Sequence, residues 1–262
     1  MALTDSERLA LARMVETAED LDRWRLRVQR VEEPERGSEL ATDDEIFPRA
    51  PISQTVRTSL ASSGEHLRLA LDALNAGSLY PSAHFTVLRG ALVGACQAVW
   101  ILASDERSVR RERGLTVNAE MHKQMRIYYN FLVGTDIADE ERARLQGQRL
   151  WLSERTNDVA SLRSTKAELD VTKVIGVAAD YAFADPASRD AVRRLWREMS
   201  ADAHVLGWSL FQRSTFGPAD RRTGVGEGKA GGVPEFVAQP FLASYRILKR
   251  GWSLFDQRCE GP

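Results

Sequence analysis

An all-α fold follows from two features of this 262-residue sequence. Leucine outnumbers isoleucine 28 to 7 amid abundant alanine, a composition that favours helix over sheet. Apolar side chains recur at three- and four-residue intervals along most of the chain, and no pair of alternating strands meets at a good hairpin turn. The expected architecture is an irregular bundle of seven or eight helices with a Gly-rich loop before the last helix.

The elements follow in order. Thr4 and Glu7 form a capping box, and Leu11, Val15, Ala18, Leu21 and Val28 continue one helix to about Val31. Glu32 to Ser53 gathers Pro34, Gly37, Pro48 and Pro51 into a connecting arm, which Ile46 and Phe47 could pin to the body. A second helix spans Ile52 to Ala76 and stops at Asn75-Ala-Gly77. Pro81 opens a third, whose broad apolar stripe of Phe85, Leu88, Leu92, Cys96 and Val99 marks it as the central helix. A fourth runs from the capping group Ser104-Asp105-Glu106 to Val133, with an interruption expected at Gly114. Its first part, Arg107 to Arg113, reads as a solvated basic face, and its second carries Met125, Tyr128, Tyr129 and Leu132 at packing intervals. Further helices cover Ala138–Leu162, Lys166–Phe183 and, after the start signal Asp185-Pro186, Ala187–Arg213. Ser214 to Pro234 is too rich in glycine for a helix, so it is expected as a disordered excursion or a lid. Four segments result: 1–53, the N-terminal helix and arm; 54–213, the main bundle; 214–234, the flexible loop; and 235–262, a C-terminal helix packing back.

Net charge is -1, from 36 basic and 37 acidic side chains, which gives no global attraction to nucleic acid or to an anionic surface. The two distant cysteines, Cys96 and Cys259, make a poor disulfide framework, so a reduced, cytoplasmic protein is expected. The longest apolar run, Ala91 to Ala103, is short for a membrane span, and no membrane anchor is expected. The sequence lacks a Walker loop, a dinucleotide fingerprint, a zinc-protease histidine pair, an EF-hand loop and a nucleophile elbow. No metal or cofactor is expected.

Chemistry rests on few residues. Arg197 and His204 stand seven positions apart, nearly two helical turns, so both can emerge on one helix face. A guanidinium beside an imidazole can bind an anion and move a proton, which suits metal-independent cleavage of an RNA phosphodiester. In the alternative, Arg197 pairs with a carboxylate and His204 packs within a helix contact. The segment Arg197-Glu-Met-Ser-Ala-Asp-Ala-His204 resembles the arginine–histidine motif of the HEPN superfamily. That resemblance implies a helical bundle, pairing of two copies into a composite ribonuclease site, and catalytic roles for Arg197 and His204. The tracts His84–Trp100 and Trp196–Trp208 resemble helical proteins of high-GC actinobacteria, a likeness that carries no established activity.

The same tracts single out His84, Arg89, Asp202 and Trp208 as ligand-facing candidates. An arginine entering a core must be paired, so Arg89 is expected to reach Asp202 or Glu65, or else to line a polar cavity. Trp208 could wall a pocket or simply fill the bundle. The leading expectation is therefore a binding or oligomeric interaction module, with a homodimer, a protein partner or a small ligand as its partner. Whether the chain is an enzyme stays open. An HEPN-like ribonuclease of toxin or phage-defence type, the one reading with an RNA partner, is the first alternative. A small-molecule enzyme or ligand binder using His84, Arg89 and His204 is the second.

Overall fold

The computed structural model describes residues 3–261. The protein is an irregular all-α bundle: among the described residues there are eleven helices and one two-stranded ladder. In chain order they are α1 (Asp5–Val15), α2 (Ala18–Arg27), α3 (Glu39–Asp44), α4 (Ile52–Asn75), α5 (Ala83–Leu102), α6 (Arg107–Val133) and α7 (Asp139–Leu162). There follow α8 (Val171–Ala182), α9 (Pro186–Ala203), α10 (Trp208–Phe211), β1 (Ser214–Phe216), β2 (Gly228–Ala230) and α11 (Pro234–Cys259). The chain divides into two compact units, with boundaries inside α4, α5 and α11.

The first unit comprises Met1–Glu32, Arg57–Trp100 and Val171–Leu254. The capping box forms as expected: the Glu7 amide donates to Thr4 Oγ1 (3.2 Å) and the Thr4 amide to Glu7 Oε2 (2.7 Å). The expected single first helix instead breaks between α1 and α2. There the buried Thr17 hydroxyl donates to the Met14 carbonyl at 2.7 Å, competing with the helical ladder. α4 ends at Gly77, whose φ of 72° closes a Schellman cap: Gly77 N donates to Leu74 O (2.9 Å) and Ser78 N to Ala73 O (2.8 Å). α5 is the core helix, with Phe85, Leu88, Leu92, Cys96 and Val99 all buried. It is also the one described helix long and apolar enough to cross a membrane, although 56% of its most apolar window is buried inside the protein. Ser63 of α4 is buried at its flank and donates to the Ala91 carbonyl at 2.7 Å.

The Gly-rich segment departs from the expected disorder. Ser214 pairs with Ala230 and Phe216 with Gly228 in an antiparallel ladder. Asp220 accepts from the amides of Arg222 (2.9 Å) and Thr223 (2.8 Å) and orders the turn at its tip. The hydrophobic pattern is too short for periodicity to reveal these three-residue strands.

The second unit comprises Glu33–Val56, Ile101–Asp170 and Phe255–Pro262. Its arm is not featureless: Ser38 caps α3, accepting from the Ala41 amide at 3.2 Å. Phe47 is buried against Leu115 and Val159, the pinning that Ile46 and Phe47 suggested. α6 runs unbroken through Gly114, whose missing side chain makes room for Ile52 of α4: a Cβ there would stand 2.7 Å from Ile52 Cγ1. The basic run is not wholly solvated. Arg110 is 1% exposed and donates to Asp43 Oδ2 (2.6 Å) and to the Ser104 (3.0 Å) and Asp105 (2.9 Å) carbonyls. After α7, the Glu112 carboxylate accepts from the Ser164 amide (2.7 Å) and the Thr165 hydroxyl (2.9 Å). This keeps the chain irregular until α8 starts at Val171, later than the expected Lys166.

Candidate functional site

The candidate residues collect around α5 and α9 in the first unit. Asp185 caps α9 by accepting from the Ser188 amide at 2.7 Å, and Pro186 takes the first turn. The buried face carries Val192, Leu195, Trp196, Met199 and Asp202, which leaves Arg197 exposed. The expected continuation to Arg213 does not occur. α9 stops at Ala203, with His204 as its cap residue. Leu206 N then donates to Ala201 O (2.8 Å) and Val205 N to Asp202 O (3.0 Å).

This is the same Schellman geometry as at Gly77, but the left-handed position is held by a β-branched residue. Val205 has φ 57° and is 90% exposed. A left-handed backbone at valine is a genuine outlier, of the kind that surrounding structure must impose. The turn presents Leu206, Trp208 and Phe211, which are 54%, 42% and 64% exposed. Phe211 meets the exposed Phe216 of β1 edge-on, with ring centroids 6.1 Å apart. Large apolar side chains thus stand in solvent from Val205 to Phe216, with Arg197, His204, Arg221, Arg222 and Lys229 among the exposed polar residues of the same segments.

Beneath this corner the polar candidates are engaged elsewhere. Asp202 is gripped by Arg213, whose Nη2 lies 2.6 and 2.7 Å from the two carboxylate oxygens, both side chains being buried. The Arg213 guanidinium also lies 3.5 Å from the centre of the Phe85 ring. Arg89 therefore pairs with neither Asp202 nor Glu65. It donates from Nε to Ser200 Oγ (3.3 Å) and stacks over Trp196 at 4.8 Å, because Arg213 already satisfies the carboxylate. His84 is buried, stacked on Tyr80 (5.7 Å, 28°), and its Nδ1 accepts the Tyr80 amide at 3.1 Å. Burial holds its imidazole below the ordinary histidine range, so the ring is neutral at pH 7 with its proton on Nε2. A neutral, walled-in His84 and a spoken-for Asp202 do not join His204, which is exposed at the corner.

The chain matches no protein-family model, no curated protein and no solved structure. The site must stand on its own geometry. Among the described residues no group of three or more His, Cys, Asp or Glu is arranged to hold a metal ion. A cleft of about 20 Å³ lined by Trp24, Val28, Leu60, Gly64, Arg68 and Trp252 contains none of the candidates and falls far below the size of a small-molecule site. Sequence reasoning named Arg197, His204, Asp202 and Trp208 but missed Val205 and Arg213. The signal for Val205 lay in Gly207, a helix breaker three residues past His204. Arg213 carried no local signal, since its partner is 11 positions away across the turn.

Proposed function

We propose that this chain is a non-catalytic interaction module that docks a protein partner at the corner running from His204 to Phe216. The observation that carries this reading is Val205: a strained backbone holds an apolar side chain 90% in solvent. A substitution to glycine would relieve that strain, and contiguous exposed apolar side chains on a folded chain mark a contact surface. The same segments expose Arg197, Arg221, Arg222 and Lys229 together with Asp220 and Glu227, so the partner it fits presents an apolar stripe with a mixed polar border. A photo-crosslinking amino acid placed at Leu206 should give one discrete adduct in cells, with a protein of that surface chemistry. The same group at Leu69, exposed on α4, should give none. Equal labelling at both positions, or none at either, overturns the reading.

A second reading is favoured by one observation. Arg197 and His204 are both exposed, and among the described residues no ion pair ties Arg197 down, as a metal-independent HEPN-like ribonuclease requires. Single-stranded RNA left intact by the purified chain with chelator present supports the interaction module. Cleavage that disappears in His204→Ala supports the ribonuclease.

A further inference from the structure

We infer that the outer edge of β2, from Gly226 to Ala230, is a homodimer interface on which β2 of a second copy of this chain pairs antiparallel about a two-fold axis at Gly228. The edge adjoins the docking corner, but the inference stands without it. The ladder register and one hydrogen bond identify the spare main-chain groups. Ser214 faces Ala230, Thr215 faces Lys229 and Phe216 faces Gly228. Gly217 N donates to Glu227 O at 2.8 Å, which makes 217 and 227 a hydrogen-bonded pair. Such pairs alternate along an antiparallel ladder, so Thr215 and Lys229 form the next one. Gly226, Gly228 and Ala230 therefore turn their N–H and C=O groups away from β1. Glu227 to Ala230 are all exposed, and among the described residues no other hydrogen bond reaches those groups.

An edge of this kind is covered by an extended backbone, because only a strand offers donors and acceptors at the same repeat. Charge identifies which strand. Glu227 and Lys229 are two residues apart and so share one face of the ladder, with Thr215. Both are exposed, and among the described residues neither enters an ion pair. With the axis at Gly228, Glu227 lies opposite the partner's Lys229, and Lys229 opposite the partner's Glu227. Both contacts fall at non-hydrogen-bonded positions, where side chains on facing strands come closest. An axis at Lys229 would instead set two ammonium groups face to face. The charges thus select the register as well as the occupant.

The opposite face carries Ser214, Phe216, Gly228 and Ala230. A Cβ on Gly228 would stand 2.9 Å from Phe216 Cε1, so the ring lies over the glycine. Glycine weakens a strand interior, and its place here suits the close approach of another backbone. In the dimer the two glycines are neighbours at the axis, and the two Phe216 rings, 56% exposed in a single copy, meet above them. A pair of three-residue strands is marginal by itself, whereas a sheet doubled across the axis with one apolar face is not. β1 offers no equivalent edge. Ser214 is half-buried, and its hydroxyl donates to the Leu210 carbonyl of α10 at 2.7 Å. Each copy therefore has one edge to give, and the assembly closes as a dimer.

The test is sedimentation equilibrium of the full chain across a hundredfold range of concentration, with circular dichroism to confirm the helical fold. A reversible species of twice 29.3 kDa is expected. Lys229→Glu and Glu227→Lys each set like charges opposite one another and should raise the dimer dissociation constant about tenfold; the double swap E227K/K229E should restore it. Ala230→Pro removes an outward N–H while the ladder donors of Thr215 and Lys229 remain, and should shift the chain to monomer. The Lys229 amide should stay slow to exchange in A230P. Should that protection be lost, the charge variants carry the test, since both sites are exposed and keep every amide. Leu206→Asp at the corner should leave the dimer intact. A monomer at every concentration, a dimer indifferent to K229E and E227K, a double swap that restores nothing, or a dimer broken by L206D instead, overturns the inference. A lost dimer here leaves the crosslink at Leu206 untouched, so the two proposals fail separately.

Discussion

Replacing Val205 with glycine should make the protein more stable. The left-handed backbone costs an L-residue about 1–2 kcal/mol, and β-branching puts valine toward the upper end. Val205 is 90% exposed, so deleting its side chain forfeits almost no burial. Against that gain stands the greater freedom of glycine in the unfolded chain, about 0.5–1 kcal/mol. The net expectation is a stabilisation of about 0.5–1 kcal/mol. The molecule contains its own control in Gly77, which holds the same position of the same cap at φ 72° with open space around it. Gly77→Val should cost about 0.5–1 kcal/mol, the same balance run in reverse, because it creates at the end of α4 the strain that Val205 creates at the end of α9. Urea unfolding followed at 222 nm reads both variants. A V205G protein less stable than the parent, alongside a harmless G77V, would refute the claim that the corner is held under strain.

Other expectations concern the interior. Arg213→Ala leaves Asp202 buried and unpaired and should cost about 3–5 kcal/mol in the same urea assay, whereas a change below about 1 kcal/mol would mean the pair is solvated. His84 and His122 are both held below the ordinary histidine range, chiefly by burial and, for His122, also by Arg155. The unfolded chain therefore takes up their protons first. Their contribution to stability is full above the unfolded pKa of about 6.5 and is lost as pH falls below it toward the folded values. Imidazole proton shifts should place both transitions below 6.5, and a midpoint above that value for either ring would contradict its burial. Gly114→Ala should destabilise by about 1–3 kcal/mol, since its Cβ would fall 2.7 Å from Ile52 Cγ1; an unchanged urea midpoint would show that the two helices can separate freely.

Much of the helical layout was legible because helices write themselves locally. The capping box at Thr4, the glycine stop at Gly77 and the Asp185-Pro186 start are signals within four residues of the boundary they set. What was not legible depends on distant partners. Thr17 breaks the first helix through a hydroxyl that could equally have faced solvent. Arg110 reads as one more surface cation until Asp43, 67 positions away, draws it inside. The same limit governed the site. The spacing of Arg197 and His204 was read as if α9 continued, which is sound only while the backbone stays helical, and a valine in a glycine's position ended it. Arg89 was recognised as a cation that must find an acid, with Asp202 or Glu65 as its expected partner, and nothing in the sequence around Asp202 marked Arg213 as the residue that takes it. Tyr128 looked like packing on α6, yet it is 58% exposed, because helical spacing alone does not say which side of a helix the rest of the fold covers.

The docking corner is tested most directly by the crosslinker at Leu206, carried in the cell by an otherwise unaltered chain. One adduct, lost when Trp208→Asp and Phe211→Asp are added and absent when the probe sits at Leu69, is the result the strained turn calls for. An adduct that survives both aspartates, or labelling from Leu69 as strong as from Leu206, would mean that the side chains held out by Val205 meet no partner.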